Sequence, residues 1–138
     1  MADRVKKVNY CYVKVPNRAA QGEAVLRELR ENGVNLLAYS GFPIGKGKAQ
    51  LDFMPDDMAA FRRVARKNNW RVSKVKKGFL ISGNDQVGAA HRHISKLADA
   101  RINITAADAI CAGKGRYGMI LWVKPTHYAR AARLLRAK

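Results

Sequence analysis

Hydrophobic and polar residues alternate along residues 8–15, where Val13 and Val15 fall on one face. A period of two is that of a half-buried β-strand, and the Pro-Asn pair that follows favours a turn. Over residues 19–32 the apolar positions recur with a helical period instead, and Gly33 follows them. This second pattern predicts a helix that ends at the glycine. The chain therefore opens with a strand and a helix.

The change of period continues beyond this helix. Residues 36–42 and 49–53 are predicted strands, joined in a hairpin through Gly45-Lys46-Gly47. A proline and two aspartates at residues 55–57 favour the start of a helix, because acidic side chains stabilise the positive end of its dipole. A fourth strand is predicted at residues 70–75. The order strand, helix, strand, strand, helix, strand is a split βαβ unit.

The second half of the chain repeats this order. Gly45-Lys46-Gly47 recurs as Gly113-Lys114-Gly115, 68 positions later. A two-residue insertion is predicted in the second half, after Gly113-Lys114-Gly115, because residues 51–55 match residues 121–125 at a separation of 70. Such duplication predicts two fused modules of about 70 residues each. We expect a βαββαβ module at residues 1–76 and a βαββα module at residues 77–138, whose strands are predicted at 79–82, 104–111 and 117–123 and helices at 87–100 and 126–135.

The predicted fold class is α+β, with antiparallel sheets and the helices on one face. The second module has no predicted fourth strand, so one edge of its sheet is expected to lack a partner. An unpaired edge favours pairing with another chain. We therefore expect a homodimer.

Two motifs of the second module resemble those of the ACT family. Asp85-Gln86-Val87-Gly88 precedes its first helix, and Arg101-Ile102-Asn103-Ile104-Thr105 opens its next strand. ACT modules have an Asp-x-Pro-Gly turn and a Gly-Ile-Asn-Ile strand start in these places, and the resemblance extends over nearly the whole chain, twice. It implies two ferredoxin-like ACT modules that regulate rather than catalyse. It also implies a bound free amino acid, often where two modules meet.

The chain departs from the family pattern at two positions of these turns. Val87 stands in the place of the proline, and in the first module Ala20 stands in the place of the glycine. The second turn is therefore the preferred site, and the first is expected to be the weaker one.

The turn before the helix is also a reasonable ligand site on physical grounds. Backbone N–H groups at the start of a helix have no partner within it and favour a carboxylate. Gly88 lets the backbone approach a ligand closely. The alternative is that Asp85 only caps the helix. The candidate ligand-binding residues are Asn84, Asp85, Gln86, Val87 and Gly88, with Asn103 and Thr105 at the neighbouring strand start and Asn17 and Arg18 in the first module.

The chain is strongly basic: of its 138 residues, 27 are Lys or Arg and 10 are Asp or Glu, which gives a formal net charge of +17. Such a surface attracts anions of every kind. RNA-recognition modules share the predicted order of elements and read single-stranded RNA with aromatic residues on the sheet. Tyr10, Tyr12 and residues 114–118 are the segments on which this reading depends. Binding of RNA or another nucleic acid is therefore the alternative function.

Other classes of function have less support. No apolar run approaches the ~20 residues that cross a bilayer, and the start of the chain lacks a signal-like segment, so we expect a cytoplasmic protein. Cys11 and Cys111 lie on different predicted strands, which argues against a disulfide framework or a zinc site. His91 and His93 point to different sides of a helix and do not share a metal. We expect no enzyme, no metal and no cofactor.

Overall fold

The computed structural model describes residues 3–138, and over these residues the chain forms six strands and four helices. The strands are β1 (Arg4–Pro16), β2 (Leu36–Gly45), β3 (Lys48–Pro55), β4 (Lys76–Asn84), β5 (Ile104–Gly113) and β6 (Arg116–Val123). The helices are α1 (Gln21–Glu31), α2 (Met58–Lys67), α3 (Ala89–Asp99) and α4 (Pro125–Leu135). Both the α+β class and the antiparallel pairing agree with the prediction from the sequence.

The strand predicted at residues 70–75 is wrong. This segment makes only an isolated bridge, between Val72 and Val13. Beside this bridge, the backbone N–H of Ser73 donates to the carbonyl of Tyr12 at 2.9 Å, but the N–H of Tyr12 donates to the Ser73 hydroxyl at 2.9 Å instead of to a carbonyl. A side chain thus takes the place of the backbone ladder, and the strand does not extend.

The chain divides into two compact units. The N-terminal unit is Asn9–Lys76, and the C-terminal unit consists of residues 3–8 together with Lys77–Lys138. The sequence pattern assigns residues 3–8 to the first module, whereas in the structure they pack with the second half of the chain. Strand β1 therefore contributes its first residues to one unit and its remaining residues to the other.

The sheet edge expected to be unpaired in the second half is covered by the chain itself. Residues 4–8 of β1 belong to the C-terminal unit, where β1 lies next to β4 and the strand order is β1, β4, β6, β5. The first residues of the chain thus supply the strand that the second half lacks. The homodimer stays a prediction, but the reason given for it was wrong.

Each unit has a hydrophobic core of its own between its sheet and its helices. In the N-terminal unit, alternate residues of β1 and β3 face α1 and α2, as the period of a strand requires. Phe61 on α2 and Phe53 on β3 are both fully buried in this core, and their ring centroids lie 5.1 Å apart. In the C-terminal unit, Phe79 on β4 stacks on Tyr128 of α4 at 5.1 Å. The predicted arrangement of helices against one sheet face is therefore found in both units.

Both Gly-Lys-Gly segments form tight hairpins. Gly45 pairs with Lys48 and Gly113 pairs with Arg116, so each loop has only two residues between the paired positions. In both loops the lysine and the glycine after it have positive φ angles. Positive φ at both positions is the property of the type I′ turn, whose twist matches that of the strands it joins.

The predicted two-residue insertion in the second half is wrong. Val13 lies opposite Leu51, and Ile81 lies opposite Met119. Leu51 therefore corresponds to Met119 rather than to Leu121, and the separation of 68 positions holds through β6. A shift by two residues along a strand keeps every side chain on the same face, so the hydrophobic pattern is equally satisfied by the wrong register.

Candidate functional site

The turn between β4 and α3 has the backbone conformation of an open helix start. Gly88 is the N-cap of α3, with a φ of 78°, and no side chain caps the helix. The alternative reading, in which Asp85 serves only as the cap, is therefore wrong. The backbone N–H of Asp85 instead donates to the carbonyl of Gly115 at 2.8 Å. This bond fastens the turn to the β5–β6 hairpin.

A surface pocket of about 310 Å³ lies at this turn. One side is formed by the turn and the first residues of α3, and the other by the end of β5. The first N–H groups of α3 open towards this end of the helix, because residues in a first turn have no carbonyl within the helix to bind. The lining residues are Asp85, Gln86, Gly88, Ala89, Ala90, His91, Ala109, Ile110, Cys111 and Tyr117.

The two sides of the pocket are linked by a polar contact between Cys111 and Asp85. A hydrogen bond to the Asp85 carboxylate raises the pKa of the Cys111 thiol above its ordinary value. Both residues are exposed, so Asp85 remains open to other donors on the solvent side. The pocket therefore combines one carboxylate, one thiol and the helix N–H groups with apolar side chains.

A buried polar network lies directly behind the pocket. The hydroxyl of Tyr117, which lines the pocket, donates to Oδ2 of Asp3 at 2.6 Å. The same oxygen lies 2.6 Å from Nε2 of His93 and 3.5 Å from a guanidinium nitrogen of Arg92. Burial and the bond to Asp3 raise the pKa of Tyr117. These side chains hold the floor of the pocket in one arrangement.

The N-terminal unit has a corresponding pocket of about 280 Å³. Asn17 and Arg18 lie in its turn, and the N–H of Asn17 donates to the carbonyl of Gly47 at 2.8 Å, as Asp85 does to Gly115. Ala20 is the N-cap of α1 and has a φ of 75°. A Cβ placed on the first-turn glycine of α1 would lie 3.6 Å from the hydroxyl of Tyr39. Tyr39 therefore covers part of the helix start that is open in the C-terminal unit.

The predicted residues fall into two groups. Asp85, Gln86 and Gly88 line the pocket of the C-terminal unit, and Asn17 and Arg18 line that of the N-terminal unit. The others lie outside: Val87 is fully exposed, Asn84 accepts a hydrogen bond from Arg116 at 3.0 Å, and Asn103 and Thr105 lie at the opposite end of β5 from Cys111.

Sequence reasoning missed the residues that β5 and β6 bring to the pocket, which are Ala109, Ile110, Cys111 and Tyr117. One signal was present in the sequence. The Gly-Lys-Gly hairpin connects β5 to β6, so the residues just before and just after it lie side by side at the same end of the two strands. The turn before α3 contacts this end of the strands through the hydrogen bond from Asp85 to Gly115.

Two of the three tyrosines that would read RNA are not available on the sheet. Tyr10 and Tyr117 are each 5% exposed, and the hydroxyl of Tyr117 is bound to Asp3. Tyr12 is half-buried, and the Nζ atoms of Lys14 and Lys76 lie 5.8 and 5.2 Å from its ring centroid. Stacking of successive bases needs more than one open aromatic face, so Tyr12 alone gives the RNA-recognition alternative little support.

The described part of the chain contains neither a membrane-spanning helix nor a cluster of metal ligands. None of its helices is both long enough and apolar enough to span a bilayer. Within residues 3–138, no cluster of three or more His, Cys, Asp or Glu residues has the arrangement of a metal site.

No protein-family model matches the sequence, and no curated protein matches it. Among solved structures, the chain is similar to protein BT0572 from Bacteroides thetaiotaomicron, with a TM-score of 0.81 at 14% identity over 96% of this chain and 88% of that one. It is also similar to the regulatory subunit of aspartate kinase from Thermus thermophilus in its ligand-free form, with a TM-score of 0.61 at 14% identity over 98% of this chain and 93% of that one.

The regulatory subunit of aspartate kinase from Thermus flavus is a further similar structure, with a TM-score of 0.60 at 18% identity over 98% of this chain and 94% of that one. At these identities the likeness shows the fold. The chain has the ACT-like fold of two ferredoxin-like units in tandem.

Proposed function

We propose that the chain is a non-catalytic regulatory module that binds a free amino acid in the pocket of the C-terminal unit. The observation that carries this proposal is the repeated site: in both units a pocket lies where the first strand ends and the first helix begins, beside a hairpin bonded to the same turn. The similar aspartate kinase structures are described as regulatory subunits. That description supports a regulatory role for a chain of this fold.

The chemistry of the pocket suits both charged ends of an amino acid. The free N–H groups at the start of α3, at Ala90 and His91, favour the ligand carboxylate. The carboxylate of Asp85 lies on the same side of the pocket and can accept from the ligand ammonium group. Ala109, which shares a strand face with Cys111, provides an apolar surface for the ligand side chain together with Ala89 and Ala90 of α3. We therefore expect preference for an amino acid with an apolar side chain.

The C-terminal unit is the better candidate for an open pocket. In the N-terminal unit the hydroxyl of Tyr39 lies over the helix start, whereas the residue 68 positions later is Ala107, which has no such group. Gly88 also adopts its positive φ without strain, while Ala20 does not. Occupancy of one pocket per chain is the expected stoichiometry.

The arrangement does not favour an enzyme. Of the three histidines, His91 is exposed, His93 is buried with its Nε2 bound to Asp3, and His127 is half-buried in the first turn of α4, outside the pocket. Acid-base catalysis needs a base within hydrogen-bond reach of a reacting group at an accessible site. His91 borders the pocket, but no carboxylate within residues 3–138 forms an ion pair with it to orient its ring.

A thermal-shift panel of the common amino acids tests the proposal. A ligand that binds the folded chain raises its melting temperature by mass action, and we expect at least one apolar amino acid to do so. Ala109→Trp should abolish this rise, because the new ring occupies the pocket from the β5 side. The absence of a response to every amino acid in the panel would overturn the proposal.

Val87→Trp is the matched control. It adds the same ring to a neighbouring residue that is fully exposed and does not line the pocket. The response to the amino acid should survive this change. Equal loss of the response in the two variants would show that binding occurs elsewhere or depends on stability alone.

A further inference from the structure

Four cationic side chains converge at one edge of the C-terminal unit, away from the amino-acid pocket. Arg4 and Lys6 alternate on β1 and so share a face of the strand. The N–H of Lys138 donates to the carbonyl of Val5, and the N–H of Lys7 donates to the carbonyl of Lys138, both at 3.0 Å. This is the parallel-strand pattern, and it sets Lys138 directly beside Lys6 with both side chains on one side.

A surface pocket of about 420 Å³ lies at this edge, lined by Asp3, Arg4, Val5, Lys6, Arg136 and Lys138. The acidic group among them is already engaged. The side chain of Asp3 is 5% exposed, and Oδ2 is bound by Tyr117 and His93. The other charged side chains of the pocket, those of Arg4, Lys6, Arg136 and Lys138, are all cationic.

The four cations lack an acidic partner among the described residues. No ion pair within residues 3–138 includes Arg4, Lys6, Arg136 or Lys138. Like charges that face each other on neighbouring strands destabilise a sheet. An anion seated between them would relieve this repulsion.

One of the four cations, Arg136, stands at an unusual backbone position at the end of α4. Arg136 has a φ of 54°, a backbone conformation that favours glycine or asparagine, and Asn69 has this conformation after α2. An arginine therefore stands where the backbone favours a smaller residue.

We propose that this edge is a binding site for a small molecule that carries two or more linked phosphate groups. A single carboxylate would neutralise only one of the four cations, whereas linked phosphates spread several negative charges over neighbouring positions. The planar guanidinium groups of Arg4 and Arg136 suit bidentate contacts to phosphate oxygens, and Lys6 and Lys138 add point charges beside them. Inorganic polyphosphate and the phosphate chain of a nucleotide share this chemistry.

Calorimetric titration of the full chain with inorganic tripolyphosphate tests the site, at an ionic strength of about 0.15 M so that diffuse attraction is screened. Lys6→Gln with Lys138→Gln should weaken binding about tenfold or more. The control, Arg62→Gln with Arg63→Gln, removes the same charge from the exposed side of α2 and should weaken binding less than about twofold. Equal losses in the two double variants, or no saturable binding by the unchanged chain, would overturn the proposal.

A second pair of changes guards against misfolding. Arg4→Gln with Arg136→Gln should also weaken tripolyphosphate binding about tenfold. The affinity of a double variant is compared only if its thermal melting, followed by circular dichroism, matches that of the unchanged chain. If neither folded double variant differs from the control in α2, the site is absent.

Two further ligands distinguish the sources of the phosphate. Equal affinity for ATP and tripolyphosphate would support a site for the phosphate chain alone, and tighter binding of ATP would support a nucleotide. Orthophosphate that binds as tightly as tripolyphosphate would contradict the requirement for linked phosphates.

Discussion

The carboxylate of Asp3 lies 2.6 Å from Nε2 of His93, although the two residues are 90 positions apart in the chain. The same oxygen accepts the hydroxyl hydrogen of Tyr117 at 2.6 Å. Asp3 precedes β1, His93 lies in α3 and Tyr117 lies in β6. One carboxylate thus joins the start of the chain to a helix and a strand of the C-terminal unit, and it does so behind the candidate pocket.

Replacement of Asp3 by alanine should destabilise the fold. His93 and Tyr117 are buried and would lose their acceptor, so the free energy of unfolding should fall by about 2 kcal/mol or more. Urea denaturation followed by circular dichroism measures this change. Asp56→Ala is the control, because Asp56 is exposed, and its effect should stay within about 0.5 kcal/mol. A loss for Asp3→Ala no larger than that of the control would contradict the role of the network.

The contribution of Asp3 should depend on pH. Burial alone would raise its pKa, but hydrogen bonds from Tyr117 and His93 and the nearby charge of Arg92 hold it below the ordinary value of 3.8. Because the pKa is lower in the folded state, the ionised carboxylate stabilises the fold above its unfolded pKa, and this contribution is lost as the pH falls through the folded pKa.

The difference in unfolding free energy between the unchanged chain and Asp3→Asn should therefore shrink as the pH falls below about 4. Urea denaturation at a series of acidic pH values measures it. A difference that stayed the same down to about pH 2 would show that the carboxylate charge is not what stabilises the fold.

Gly83 should be required for the position of Asp3. A Cβ on Gly83 would overlap the Asp3 carboxylate and lie 3.0 Å from the ring of Tyr117. Gly83→Ala should therefore displace Asp3 and reduce the free energy of unfolding by about 1 to 3 kcal/mol. Gly118→Ala is a matched control on the adjacent strand, where the nearest atom would be 3.8 Å away. Equal effects of the two substitutions, measured by thermal unfolding, would contradict this prediction.

Gly88 and Ala20 precede the first helices of their units with nearly the same φ, 78° and 75°. A residue with a Cβ is strained there by about 1 to 2 kcal/mol. Gly88→Ala should therefore lower the free energy of unfolding by about 1 kcal/mol, whereas Ala20→Gly should raise it by about 0.5 kcal/mol after the added freedom of the unfolded chain. Urea denaturation of both variants is the measurement, and effects of the same sign would contradict the shared geometry.

Periodicity was sufficient to predict the elements of this fold, because each strand and helix has one apolar face. The proline and two aspartates at residues 55–57 were sufficient for the start of α2, where the Asp57 side chain accepts from the N–H of Ala60 at 3.1 Å. Periodicity could not predict that Ser73 would bind the Tyr12 backbone and end a strand. Nor could it detect a shift by two residues in register, since the buried face is unchanged by such a shift.

The site was predictable only where it is local in sequence. Asp85, Gln86 and Gly88 belong to one turn, and their pattern was visible. Cys111 and Tyr117 reach the same pocket through strand pairing, which depends on contacts between distant segments. The packing of residues 3–8 with the C-terminal unit was likewise not predictable, because a strand has the same alternating pattern whichever neighbour it pairs with.

Binding of an amino acid beside Gly88 is tested most directly by two-dimensional ¹H–¹⁵N NMR during titration with the amino acid that gives the largest thermal shift. The amide signals of residues 85–91 and 109–111 should move in a saturable manner, while those of residues 17–23 should move less. Signals that do not move with any amino acid, or that move only outside these segments, would contradict an amino-acid site at this turn.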